Sequence, residues 1–114
     1  MKALWIAALA ALSGPALAQV SAPAGDAKHG QALFMQEGCY ACHGTAGHGE
    51  PYGPRLAPKP LPWAAVIAQV RHPRASMPPY TAQALPDQDL ADIYAYLAAI
   101  PAGRSAKDIP LLRE

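Results

Sequence analysis

The sequence has little cysteine, few aromatic residues and no long apolar segment. Only two of its 114 residues are cysteines, so a framework of several disulfides is excluded. The longest apolar run, residues 3–12, is shorter than the roughly 20 residues that a membrane-spanning helix needs. Neither the alternation typical of strands nor an internal repeat is present. Nine basic residues nearly balance eight acidic ones, which argues against a nucleic-acid-binding protein.

The first 18 residues have the pattern of a secretory signal peptide. Lys2 supplies a positive charge, an apolar core follows it, and Ala16-Leu17-Ala18 forms a small-residue cleavage box. We expect residues 1–18 to be removed, so that the mature chain begins at Gln19 and is exported to the periplasm. A signal that stayed uncleaved would instead anchor the protein in the membrane.

The rest of the chain is predicted to form one helical domain at residues 26–101, after a flexible leader at 19–25 and before a tail at 102–114. Apolar periodicity and end signals predict helices over residues 26–36, 62–72 and 87–99. Residues 44–62 are rich in glycine and proline and predict a long loop, which would be suited to wrapping the edge of a cofactor. The expected fold class is all-α, with three to four helices and long Pro/Gly-rich loops.

Both cysteines lie in the stretch Cys39-Tyr40-Ala41-Cys42-His43. The C-x-x-C-H spacing is typical of c-type haem attachment, in which both thiols form thioethers and the histidine ligates the iron. Cysteines three apart lie on one face of a helical turn, where they can meet two neighbouring vinyl groups of one macrocycle. The alternatives are a thiol redox pair, which would be expected in a βαβ context, and a structural zinc site, which would need a second ligand pair. Neither context is visible in the sequence.

A methionine is the best candidate for the iron ligand on the opposite side of the haem. Met1 would leave with the signal peptide, and Met35 lies only four residues before the first cysteine. Met77 remains, and it is followed by two prolines. A thioether is a soft ligand that stabilises reduced iron, so a His/Met pair raises the reduction potential. The alternatives are core packing of Met77 and ligation by His48 or His72.

These motifs together resemble the class I cytochrome c family. The resemblance is carried by Gly30 and Phe34, Cys39 to His43, Gly53 to Leu56, Met77 to Tyr80, and Ala95 to Leu97. It implies a fold that surrounds one covalently bound haem c. The first and last helices of such a fold cross, and here Gly30 and Phe34 would meet Ile93 and Tyr96.

The resemblance also implies the composition of the site. Cys39 and Cys42 would hold the haem, while His43 and Met77 would ligate its iron. The carbonyl of Pro54 would accept a hydrogen bond from the free ring nitrogen of His43, which fixes the orientation of the ring.

The leading functional hypothesis is a one-electron carrier that makes and breaks no substrate bond. The chain is similar to small periplasmic cytochromes that accept electrons from dehydrogenases, so the expected partners are a periplasmic dehydrogenase, a terminal oxidase or both. A haem sensor or peroxidase-like protein is the alternative, and it requires an open sixth position with Met77 away from the iron. A scaffolding protein without haem is a third hypothesis. The sequence shows neither the paired carboxylates nor the Ser/His/Asp set that would suggest a hydrolytic site.

The charges are unevenly placed along the chain. No acidic residue lies between Glu50 and Asp87, whereas this interval holds four basic residues: Arg55, Lys59, Arg71 and Arg74. Three acidic residues follow close together: Asp87, Asp89 and Asp92. The pattern predicts a dipolar protein that docks its partner through the basic segment, and the alternative is a pair of ordinary solvated surfaces.

Overall fold

Four α-helices and two short 3-10 turns make up the regular structure of the part of the chain that the structure describes. The structure is a computed structural model, and it describes residues 20–49 and 51–112. The helices are α1 (Ala27–Gln36), α2 (Tyr40–His43), α3 (Trp63–Arg71) and α4 (Asp87–Ala99), and the 3-10 turns are Ala106–Asp108 and Pro110–Leu112. No β-strand occurs in the described ranges, so the predicted all-α class is confirmed. The predicted signal peptide lies outside the described residues.

None of the described helices combines the length and the apolar character that crossing a lipid bilayer requires.

Acidic side chains favour the N-terminal ends of α1 and α4. Asp26 is the N-cap of α1, where its carboxylate accepts hydrogen bonds from the main-chain N–H groups of Lys28 and His29 at 2.9 and 3.1 Å. Such a cap satisfies donors that have no partner inside the helix. In the first turn of α4, Asp87 and Asp89 face the positive end of the helix dipole. The predicted boundaries of α1, α3 and α4 therefore agree with the structure to within about a residue.

The first and last long helices cross in close contact. A Cβ added at Gly30 would lie 1.9 Å from the main-chain oxygen of Asp92 and 2.7 Å from the nitrogen of Ile93. Only glycine therefore allows the two backbones to approach this closely. Phe34 is fully buried beside this point, and its ring centroid lies 5.6 Å from that of Tyr96. The crossing that the family resemblance implied is present.

The core extends from this crossing to α3 and to the loop that precedes it. Trp63 at the start of α3 is buried and packs edge-on against Tyr94 of α4, with ring centroids 5.7 Å apart. The buried apolar residues are Leu33, Phe34, Ala57, Trp63, Val70, Leu85, Leu90, Ala91, Ile93 and Leu97. Ala57 shows that the Pro/Gly-rich loop is part of the packed structure.

Asp92 links the two crossing helices through its side chain. The carboxylate is only 8% exposed, and it accepts hydrogen bonds from the main-chain N–H of Asp26 at 2.8 Å and from Gln88 Nε2 at 3.1 Å. It also pairs with His29 Nδ1 at 2.7 Å. Asp92, one of the three acidic residues that follow close together in the sequence, is therefore buried, because the N-terminal end of α1 offers it donors.

Candidate haem site

The two cysteines lie one helical turn apart at α2. Cys39 is the N-cap residue of this short helix, and its main-chain oxygen accepts hydrogen bonds from the N–H groups of Cys42 and His43 at 3.3 and 3.0 Å. Both thiols are free and half-buried. The turn places two thiols and an imidazole in one short rigid segment.

The environment of Cys39 disfavours thiol–disulfide chemistry. Burial raises the pKa of the Cys39 thiol to about 11. A reactive C-x-x-C pair requires the opposite, a lowered pKa that provides a thiolate nucleophile. At neutral pH this thiol is protonated, as expected of a cysteine that has a structural or attachment role.

His43 is held by a hydrogen bond to the main chain. Its side chain is buried, and Nδ1 lies 2.8 Å from the carbonyl oxygen of Pro54. Because a carbonyl only accepts, Nδ1 carries the proton and donates it. Nε2 is then the ring nitrogen with a lone pair for a metal, and this is the arrangement that orients metal-ligating histidines. The hydrogen bond implied by the family resemblance is present.

The loop after α2 returns to His43 through main-chain hydrogen bonds. The N–H of Gly49 donates to the oxygen of His43 at 2.9 Å. The oxygen of Gly47 accepts from both Leu56 and Ala57, at 2.7 and 2.9 Å. These bonds fold the loop back on itself and bring its middle part to the histidine.

Gly53 allows the loop to lie against α2. A Cβ at this position would be 2.5 Å from the main-chain oxygen of Cys42 and 3.0 Å from His43 Nδ1. A larger residue would push the loop away and would lengthen the hydrogen bond from His43 to Pro54. The glycine is therefore part of what fixes the imidazole.

Met77 lies in the loop that follows α3. It is half-buried and packs against the edge of the core, and its Sδ lies 3.7 Å from Gln69 Nε2. The two other candidates for the distal ligand, His48 and His72, are both exposed.

Tyr80 connects the Met77 loop to two other parts of the molecule. Its hydroxyl donates to the main-chain oxygen of Glu37 at 2.7 Å, just before α2. Its own N–H donates to the oxygen of Val70 at 3.0 Å, and its carbonyl accepts from Arg71 at 2.9 Å. The pKa of the phenol is raised, first by burial and then by the nearby Cys39. The segment after Met77 is thus tied to α3 and to the chain that enters the cysteine turn.

The donor set fits a covalently attached haem. It comprises two free thiols on one turn, an imidazole whose Nδ1 is occupied, and a thioether in a separate loop. The family model described as cytochrome c oxidase, cbb3-type, subunit III matches residues 25–97, well over half of the chain. The protein belongs to this cytochrome c family. No match was found among curated proteins, and none among solved structures.

Membership in this family confirms the resemblance to class I c-type cytochromes. Cytochrome c domains bind covalently attached haem c with an iron centre, so haem c is the cofactor and electron transfer is its general role. The individual assignments to the haem stay predictions: Cys39, Cys42, His43, Pro54 and Met77.

Several contacts of this cytochrome have no signal in the sequence. Gln69 contacts Met77 from eight positions away, and Tyr80 binds a main-chain carbonyl that any residue could supply.

Arg71 makes contacts within the chain, although the charge pattern of the sequence placed it on the surface that docks the partner. Its side chain is 13% exposed and bridges the carbonyl of Tyr80 and the carboxylate of Asp87, the latter at 2.5 Å. This ion pair within the chain is possible because Asp87, whose side chain is itself exposed, lies near the end of α3.

Proposed function

We propose that this cytochrome is a periplasmic one-electron carrier whose haem is attached at Cys39 and Cys42 and ligated by His43 and Met77. The observation that carries the proposal is the 2.8 Å hydrogen bond from His43 Nδ1 to the Pro54 carbonyl, which leaves Nε2 for iron. When bound, the haem supplies an iron centre that takes up and releases one electron, between Fe(II) and Fe(III).

The chain's own residues keep the ligands in place in both oxidation states. The Pro54 carbonyl holds the imidazole in one orientation and increases its basicity. The Met77 thioether favours the reduced iron and so raises the reduction potential. The hydrogen bonds of Tyr80 keep the Met77 loop close to the cysteine turn. Fixed ligands suit a protein that exchanges electrons rather than one that opens its site to a substrate.

The proposed partners are redox proteins, and the protein itself catalyses no substrate reaction. A periplasmic dehydrogenase is the proposed donor and a terminal oxidase the proposed acceptor. The description of the matched family names an oxidase subunit, which supports an oxidase among the partners. Export to the periplasm rests on the signal pattern of residues 1–18.

Covalent attachment is tested with protein expressed together with haem c maturation machinery. After denaturation and acid-acetone extraction the haem should stay with the chain, and the intact mass should correspond to a chain beginning at Gln19 plus one haem. The double variant Cys39→Ala, Cys42→Ala should lose its haem on extraction. Extraction of haem from the wild-type protein would refute the attachment, and a mass that includes residues 1–18 would indicate a membrane anchor.

A further inference from the structure

The segment between α3 and Met77 has an unusual backbone that requires support. Ala75 has a φ of +59°, in the left-handed region that residues with a side chain adopt infrequently. Ala75 lies in a turn that directly precedes Met77, which packs against the core. A turn of this kind persists when neighbouring groups hold it.

Gln69 is the side chain that holds this segment. Its Oε1 accepts a hydrogen bond from the N–H of Arg74 at 3.4 Å, and its Nε2 lies 3.4 Å from the oxygen of the same residue. Nε2 also donates to Met77 Sδ at 3.7 Å. One amide therefore contacts the main chain just before Ala75 and the sulfur just after it.

The position of Gln69 is itself well fixed. It lies in the last turns of α3, between the buried Trp63 at the start of the helix and the adjacent, buried Val70. The residue is half-buried, and its contact with the sulfur is partly shielded from water, whereas its two hydrogen bonds with Arg74 are exposed. The helix thus supplies a rigid base from which the amide reaches the loop.

We propose that Gln69 is a positioning residue for the Met77 ligand, an inference that rests on the proposed ligation of iron by Met77. A thioether sulfur is a weak hydrogen-bond acceptor with more than one lone pair, so it can accept an N–H and still donate to a metal. The N–H withdraws electron density from the sulfur, which weakens its support of Fe(III) relative to Fe(II). The contact with the sulfur therefore raises the reduction potential. The hydrogen bonds between the same amide and Arg74 hold the segment that carries Met77, and this makes the sulfur harder to displace.

The test compares Gln69→Leu with Gln31→Leu in the haem-loaded protein. Gln31 is an exposed residue of α1, so this variant makes the same chemical change away from the loop. In Gln69→Leu we expect a lower reduction potential and displacement of the sulfur by added imidazole at about 3- to 10-fold lower concentration, as for the loss of an ordinary hydrogen bond. Gln31→Leu should match the wild type. Equal behaviour of the two variants would overturn the proposal.

A second variant and a second background separate positioning from folding. Gln69→Glu keeps an oxygen for the N–H of Arg74 but, when ionised, has no N–H for the sulfur, so it should also lower the potential. In a Met77→Ala background, Gln69→Leu should no longer change the potential, because the residue through which it acts is gone. A shift that persists there would refute action through Met77.

The failure of the underlying assignment is distinguishable from the failure of this inference. If the oxidised wild-type protein lacks the near-infrared sulfur-to-iron band, Met77 is not the ligand and the proposed function fails first. If the band is present and Gln69→Leu changes neither potential nor imidazole displacement, only the role of Gln69 is refuted.

Discussion

At the scale of single residues, Asp92 joins the two helices that cross. Its carboxylate binds the main-chain N–H of Asp26 and the ring of His29 at the same time. The hydrogen bond to Asp92 raises the pKa of His29 above its ordinary range. The same bond, followed by that from Asp26, lowers the pKa of Asp92. Each charge thus stabilises the other in the folded protein.

This pair predicts a pH dependence of stability. The raised pKa of His29 gives a contribution that is complete below about pH 6.5, the ordinary histidine value, and is lost as pH rises through the folded value. The lowered pKa of Asp92 gives a contribution that is present above about pH 3.9 and is lost as pH falls through the folded value. The pair should therefore stabilise the protein most between about pH 4 and 6.5.

Denaturant unfolding of the holoprotein from about pH 4 to about pH 8 checks the prediction. The difference in the free energy of unfolding between the wild type and His29→Gln should be largest near pH 5 and should shrink towards pH 8. His72→Gln, which changes an exposed histidine at the end of α3, serves as the control. A His29→Gln difference that does not vary with pH would show that the ion pair contributes nothing.

Some residue roles could be predicted from the sequence because their chemistry is contiguous. The two cysteines and the histidine of the attachment motif lie within five consecutive positions, so their spacing alone predicts haem attachment and one iron ligand. The contacts of Asp92 and Gln69 depend on which helix faces bring them to their partners. Neither residue lies in a motif, and the sequence does not distinguish a buried aspartate from an exposed one.

At the scale of helices, the crossing of α1 and α4 depends on Gly30. The main chain of Asp92 and Ile93 occupies the space that any side chain at this position would need. End signals predicted the first helix and apolar periodicity the last, and the family resemblance implied that they cross at Gly30. The hydrogen bonds of the loops were not predictable, since they use main-chain groups that leave no residue pattern.

Gly30→Ala should destabilise the protein even though alanine is the better helix former. Helix propensity alone would stabilise α1 by up to about 1 kcal/mol. The added methyl group would instead force the two backbones apart, at a cost of about 1–3 kcal/mol or more for overpacking. Thermal or denaturant unfolding of the holoprotein measures the sign of the change.

Gly103→Ala is the matched control for this substitution. A Cβ at Gly103 would meet nothing within 4 Å, so this variant should keep nearly wild-type stability. If Gly30→Ala were as stable as the wild type or more stable, the result would contradict the close approach of α1 and α4 at this residue.

At the scale of the whole molecule, the exposed charges bear on how the cytochrome meets its partner. Arg55, Lys59 and Arg74 are exposed, whereas the side chain of Arg71 is largely covered and pairs with Asp87. The docking surface predicted from the sequence therefore keeps three of its four cations. Charge near the site of electron transfer raises the rate of encounter more than it raises affinity.

Arg74→Glu should slow electron transfer to an acidic redox partner, and the second-order rate should fall as salt is added. The Debye length is about 10 Å at 0.1 M ionic strength, so salt screens the attraction between exposed charges that lie farther apart than this. Lys28→Glu, an equal charge reversal on the exposed part of α1, should have a smaller effect. Stopped-flow measurement at several salt concentrations gives these rates. Equal rates in both variants, without salt dependence, would show that the basic residues form an ordinary solvated surface and do not dock the partner.

The near-infrared absorbance of the oxidised holoprotein tests the central claim most directly, because a sulfur-to-iron band reports methionine ligation. The account predicts the band in the wild type and its loss in Met77→Ala, with the haem still attached and the sixth position open to carbon monoxide in the reduced state. A wild-type protein that lacks the band and binds carbon monoxide readily would contradict His43/Met77 ligation. That result would favour a ligand-binding haem protein over an electron carrier.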